Sequence, residues 1–274
     1  MQANSYRATS YALIASALIL VSTPVLAGPP FLTDDPAPVD YKHSEFYIFS
    51  TMDKTKDGKD TALPAFEYNY GAFPDTQLHI VVPYVTSAPN DAVSESGKGD
   101  VELGVKYRFI QETDTMPQIG IFPMAEVSTG DSNKGLGNGK TWWRLPLWIQ
   151  KSWGEWTTYG GAGYVINRAQ GQKDYPFAGW LLQKDLGEKL TLGGEVFARD
   201  KDTVDGRGTT ILNFGGYYKF TPDFNLLFSA GHSVSGESHA VAYLGLWWAF
   251  GGDEKDGQKS GTGPAPAHWS VSQR

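Results

Sequence analysis

Residues able to do chemistry are present but badly spaced for it. The 274-residue chain has no cysteine, which excludes thiol catalysis, disulfides and thiolate metal sites. His43, His79, His232, His239 and His268 show no metal-ligand spacing. Gly130–Gly139 followed by Lys140-Thr141 resembles a phosphate-binding loop, but Lys134 stands where that motif needs its first glycine. The stretch after it, WWRLPLWIQ, alternates like a strand and offers no helix N-terminus to a phosphate. Asp131-x-Asn133-x-Gly135 resembles the start of a calcium loop, yet Trp142 occupies the position of the bidentate glutamate. Ser229 and Ser233 near His232 lack a visible acid partner for a hydrolase. The sequence therefore predicts no catalytic residue, no metal and no cofactor.

A different set of polar residues is spaced with regularity. Glu67, His79, Glu102, Lys106, Arg108, Glu126, Arg144, Glu195, Arg199 and Lys219 each stand at alternate positions within apolar runs, and Asn69, Gln77, Gln150 and Asn213 do the same. Both signs of charge occur on segments that neighbour one another in sequence. Two readings follow: a lining that steers and selects a small solute, or cross-strand ion pairs, such as Lys106 or Arg108 with Glu126 and Glu126 with Arg144, that fill a narrow interior.

The elements that would position these residues are strands. In VELGVKYRFI (101–110), Val101, Leu103, Val105, Tyr107 and Phe109 alternate with Glu102, Gly104, Lys106, Arg108 and Ile110. A helix would scatter those apolar residues around its cylinder, whereas a strand gathers them on one face. Similar alternation at 66–70, 78–84, 118–129, 142–150, 190–199 and 209–220, with weaker segments at 43–52, 156–167, 176–186, 225–233 and 239–250, predicts about twelve strands. Most approach the 9–11 residues of a tilted membrane-crossing strand.

Connections supply a second signal. Longer polar stretches (53–60, 87–97, 130–139, 168–174, 200–207) largely alternate with tight turns (71–75, 152–155, 187–189, 221–224). Outer-membrane barrels have that asymmetry; 111–117 is longer and 235–238 shorter than it requires. Trp142, Trp143, Trp148, Trp153, Trp156, Trp247, Trp248 and Phe250 cluster near strand ends, which suits interfacial aromatic girdles.

Residues 1–27 read as a cleaved secretory signal peptide: one charge at Arg7, the apolar run YALIASALILV (11–21), Pro24, then Val25-Leu26-Ala27. That run is too short to cross a bilayer as a helix. Gly28–Asp40 (GPPFLTDDPAPVD) carries four prolines and suits neither helix nor paired strand. It reads equally as a floppy periplasmic leader or as an ordered segment in the lumen. Residues 251–274 lack periodicity and read as a solvated, disordered tail after a barrel at 41–250.

Composition agrees. The chain is 41% hydrophobic and 14% aromatic, with 32 glycines, and its net charge is −7. Ample apolar material excludes disorder, and the negative charge argues against a nucleic-acid partner.

GPPFLTDDPAPVDYKHSEFYIFS (28–50), ELGVKYRFI…PQIGIFPMAEVSTGD (102–131), LPLWIQKSWGEWTTYGGAGY (145–164) and LNFGGYYKFTPDF (212–224) resemble a family of proteobacterial outer-membrane proteins labelled as transporters of the phenol-degradation meta pathway. The resemblance implies a barrel of about twelve strands and passage of small organic molecules. It brings no catalytic motif. Barrels of this kind usually end on an aromatic residue read by the assembly machinery, whereas here Phe250 is followed by residues 251–274.

The expected protein is an all-β, antiparallel up-and-down transmembrane barrel, monomeric, delivered to the outer membrane by the barrel-assembly machinery. Its partners would be the lipid bilayer and a small organic solute, aromatic solutes included, passing through a narrow passive channel. The rival expectations are a barrel enzyme, a purely structural barrel, and a secreted carbohydrate-binding β-sandwich.

Overall fold

In a computed structural model, which describes residues 30–251, strands account for nearly all regular structure. In chain order they are β1 (His43–Thr55), β2 (Gly58–Phe73), β3 (Thr76–Pro89), β4 (Glu95–Lys98), β5 (Val101–Ile110), β6 (Gln118–Ile121), β7 (Met124–Val127), β8 (Trp142–Trp153), β9 (Trp156–Ile166), β10 (Tyr175–Leu186), β11 (Leu190–Arg199), β12 (Thr209–Thr221), β13 (Phe224–Gly236) and β14 (His239–Gly251). The expected signal peptide and all of the expected tail beyond Gly251 lie outside the described residues.

With β4 set aside and β6 and β7 counted as one, each strand pairs antiparallel with the next around a ring that closes where β1 meets β14, from His43↔Gly251 to Thr55↔His239. β6 and β7 are halves of a single staff, interrupted at Phe122-Pro123, and both pair with β5 and β8. Proline removes a ladder donor, so the break falls where pairing would fail. β4 is a short strand added to the upper part of β3. The wall is therefore a closed twelve-stranded antiparallel barrel, and closure leaves no unpaired edge, as a lipid setting demands.

The faces are inverted relative to a water-soluble sandwich. Along β3, Leu78, Ile80, Val82 and Tyr84 are exposed, while Gln77, His79 and Val81 are buried. β5 repeats this, with Leu103, Val105, Tyr107 and Phe109 outside and Glu102 and Lys106 inside. An apolar band of this extent has no place on a soluble monomer, but hydrocarbon satisfies it.

Two expectations need correction. Residues 53–60 are not a loop: β1 and β2 continue to a turn at 56–57, because antiparallel pairing persists beyond the alternating apolar zone. Only part of the tryptophan set can form girdles. Trp142, Trp148 and Trp247 are buried in the interior, while Trp143, Trp153 and Trp156 face out. Adjacent residues of a strand point to opposite faces, so a Trp-Trp pair cannot serve one girdle. An outward girdle does exist at the end holding His43 and Gly251, in the ring contacts Tyr218–Phe220, Phe220–Phe224, Phe224–Trp248 and Phe46–Trp248.

Candidate functional site

The lumen is occupied by the chain's own residues 30–40. This segment enters no strand ladder, so its backbone donors need other partners. Glu195 on β11 supplies two, accepting from the N–H of Leu32 at 3.1 Å and from that of Thr33. Gln77 on β3 accepts from the N–H of Val39 at 2.9 Å, and the Ser229 hydroxyl donates to the Pro30 carbonyl. Apolar contacts complete the hold: Phe31 packs with Tyr159 and Leu181, and Leu32 with Ile211 and Val241. Two glycines permit the approach. A Cβ at Gly71 would lie 2.0 Å from the Asp40 carbonyl, and a Cβ at Gly179 would lie 2.0 Å from the Thr33 hydroxyl.

Charge joins segment to wall once. Lys106 Nζ lies 3.0 Å from Asp34 Oδ1 and 3.7 Å from Asp35 Oδ1, and the Lys106 and Asp34 side chains are both nearly fully buried. The same ammonium sits 4.9 Å from the Phe122 ring centre.

Beside it lies a second polar group. His79 Nε2 is 2.7 Å from Glu102 Oε1, and His79 Nδ1 is 2.7 Å from Asn69 Oδ1 and 3.5 Å from Glu67 Oε1. The Asn69 amide donates to Glu67 at 2.8 Å, which leaves its Oδ1 as the acceptor facing the ring. Phe122 meets the His79 ring edge-on, with 5.1 Å between centres.

Of the ten residues singled out by spacing, Glu67, His79, Glu102, Lys106, Glu126 and Glu195 are buried in the interior. Arg108, Arg144, Arg199 and Lys219 are half-buried nearer the two ends. The expected ion pairs among β5, β7 and β8 do not form as expected. Glu126 stands opposite Glu102, not opposite a cation. Lys106 turns to Asp34, and Arg108 Nη2 binds Asp75 Oδ1 at 2.6 Å in the β2–β3 turn. Arg199 Nη1 binds Asp202 at 2.6 Å, and the Arg144 guanidinium lies over Trp142 and Phe177. Partners were chosen by register and by the inserted segment, neither of which strand spacing encodes.

Spacing missed Asp34, Asp75 and Asp202 because none of them belongs to an alternating run. The one available signal for Asp34 was an Asp-Asp pair inside a proline-rich stretch that is otherwise short of charge. The hydrolase pair dissolves: Ser229 is buried and engaged by Pro30, whereas His232 is exposed. Asp131 caps a 3-10 turn (Ser132–Lys134) by accepting from Asn133 N–H at 3.0 Å. Its loop is anchored on Asp100, whose carboxylate accepts from the N–H groups of Thr129, Gly130 and Asn138. Among the described residues no cluster of three or more His, Asp or Glu could hold a metal ion.

A closed, even-stranded, antiparallel barrel with an apolar exterior and a polar lumen crossed by its own N-terminal segment defines a transmembrane β-barrel of the outer-membrane type. The chain belongs to the family described as "Putative MetA-pathway of phenol degradation", whose profile matches residues 57–250. Solved structures agree on the fold. An outer membrane channel from Pseudomonas putida F1 is 15% identical, with a TM-score of 0.64, covering 79% of this chain and 98% of its own. The NanC porin is 10% identical at a TM-score of 0.54, covering 74% of this chain and 98% of its own. The translocator domain of the autotransporter NalP from Neisseria meningitidis is 13% identical at 0.52, covering 77% and 90%. No curated protein matches the chain.

Proposed function

We propose that this protein is a passive outer-membrane channel for small organic solutes, with the barrel end that holds His43 and Gly251 facing the periplasm. Residues 28–40 act as its gate. Glu67, His79, Glu102, Lys106, Glu126 and Glu195 line the central passage in this reading, and Arg108, Arg144, Arg199 and Lys219 line its approaches. The protein works as a monomer, is exported through a cleaved signal peptide and is inserted by the barrel-assembly machinery.

One observation carries the proposal: residues 30–40 lie mostly buried in the lumen, held by wall side chains without joining the sheet. A segment built into the wall could move only by breaking the barrel, whereas this one can leave while every ladder stays paired. The lumenal groups that hold it are hydrogen-bonding side chains that water or a polar solute can engage in its place. The fold likeness to a channel and a porin is consistent with such a passage.

The test is single-channel conductance in planar bilayers, for the full chain and for a variant lacking residues 28–40. The full chain is expected to show small, flickering conductance and the shortened chain a larger, steadier one. Equal silence from both, in samples whose barrels shift on an unheated gel, would remove the channel.

A further inference from the structure

At the barrel end remote from His43 and Gly251, the inner faces of β1, β2 and β3 border a cavity with about 540 Å³ of empty space, its open mouth included. One side of it is apolar, built from Phe49, Ala62, Ala65, Val81 and Val85. Phe49 is backed there by Tyr243, the two rings stacked at 5.2 Å and 18°. Gly135, in the loop after β7, leans over the other side, so near that a Cβ on it would lie 3.2 Å from the Ser87 hydroxyl oxygen.

Two carboxylates share the polar side. Asp53 of β1 and Asp60 of β2 stand directly opposite each other in register, and both line the cavity. Like charges in that relation weaken a sheet, and the wall relieves only one of them. Asp53 is spent on His239, whose Nδ1 lies 2.9 Å from its carboxylate. Asp60 has the hydroxyl of Ser87, its register partner on β3, for a hydrogen bond and Asp53 for its charged neighbour. Among the described residues no lysine, arginine or histidine forms an ion pair with Asp60. Lys54 and Lys59 flank the two acids in sequence, but they face each other on the outer side of the wall, exposed.

The interior beneath carries the same sign. Glu45, Glu67, Glu102, Glu126 and Glu195 are buried there, whereas Lys106 is the one lysine or arginine buried as deeply among the described residues, and it is committed to Asp34. Of the half-buried arginines, Arg108 is bound to Asp75 and Arg199 to Asp202, and Arg144 lies in the field of Glu102 and Glu126. Acidic linings of this kind favour cations.

We propose that this cavity binds a small aliphatic primary ammonium ion. Its nitrogen donates to Asp60, with the Ser87 oxygen as a second acceptor, and supplies the counter-charge that the wall withholds. Its alkyl body lies against Val81, Ala65 and Phe49. Both halves of the ligand are needed: an ammonium offers three donors to a carboxylate, and apolar walls favour a hydrocarbon body over a bare ion. That the site loads the passage rests on the channel reading. The binding itself does not.

The test is calorimetric titration of the full chain, in an uncharged detergent, with butylammonium, butanol, butyrate and the ammonium ion. Butylammonium is expected to bind about tenfold more tightly than butanol or butyrate, the scale of one hydrogen bond to a charged group, and more tightly than ammonium, which lacks the alkyl body. Asp60→Asn should weaken butylammonium to the level of butanol, and Ala62→Leu, which fills the cavity, should weaken it as well. If Asp60→Asn fails to form a heat-modifiable barrel, Ala62→Leu decides in its place. Butanol or butyrate binding as well as butylammonium, ammonium binding as well as butylammonium, no binding heat from butylammonium, or an affinity indifferent to the deciding variant would each overturn the proposal. Conductance is not read here, so a silent barrel that binds butylammonium would sink only the channel, and a conducting barrel that ignores it would sink only this site.

Discussion

Lys106 and Asp34, 72 positions apart in the chain, meet in the barrel interior with 3.0 Å between ammonium and carboxylate. One stands on the wall and the other on the inserted segment, so this pair ties the segment to the barrel wall.

Removing one member should therefore cost more than removing both. A buried ion left without its partner costs about 3–5 kcal/mol, whereas replacing the whole pair with neutral groups is often close to neutral. Lys106→Met alone is expected to lower the urea midpoint and open the channel more often. Adding Asp34→Asn should recover most of the stability while the gate stays loose. A double mutant no more stable than either single one would show that the two side chains do not interact energetically.

Displacing the segment sterically should imitate its deletion. A side chain at Gly179 would strike Thr33, because a Cβ there lies 2.0 Å from the hydroxyl. Gly179→Val is expected to raise conductance and to make a cysteine placed at Thr33 reactive to a water-soluble maleimide. Unchanged reactivity would mean that the segment tolerates the intrusion.

The outward face should obey the bilayer. Val105 is exposed on β5, and Val93 is 82% exposed in the loop after β3. Arginine at a lipid-facing position near the midplane costs about 2–4 kcal/mol, falling to little near the interfaces. Val105→Arg should lose stability on that scale in folding titrations into vesicles, while Val93→Arg should change nothing measurable. Equal responses would argue against lipid contact along β5.

His79 should be a structural keystone of the lumen. Both ring nitrogens face acceptors, at 2.7 Å from Glu102 and 2.7 Å from Asn69. His79→Leu strands those acceptors, and an unsatisfied buried polar group costs about 1–3 kcal/mol, more when charged. A lowered urea midpoint is expected, with part of the loss recovered in His79→Leu combined with Glu102→Gln. A midpoint unchanged by His79→Leu would mean that water replaces the imidazole at no cost.

Much of this protein is local information. The twofold alternation of VELGVKYRFI settles which side of β5 carries Glu102 and Lys106, because successive side chains of any strand point to opposite faces. The exclusion of thiol chemistry likewise needed no structure, because the sequence holds no cysteine. The family membership rests on the same linear pattern.

Partners were not local. That Glu126 faces Glu102, that Arg108 turns to Asp75 and that Glu195 receives the backbone of Leu32 and Thr33 depends on inter-strand register and on a segment threading the lumen. Alternation constrains the face of a residue but is indifferent to sliding a strand by two positions, so the sequence determined sides and the closed barrel decided neighbours. The proline-rich stretch 28–40 showed only what it could not be. Whether its described residues lay inside or outside was decided by the lumen, which alone offers acceptors such as Glu195 and Gln77 to a backbone that has no strand to pair with.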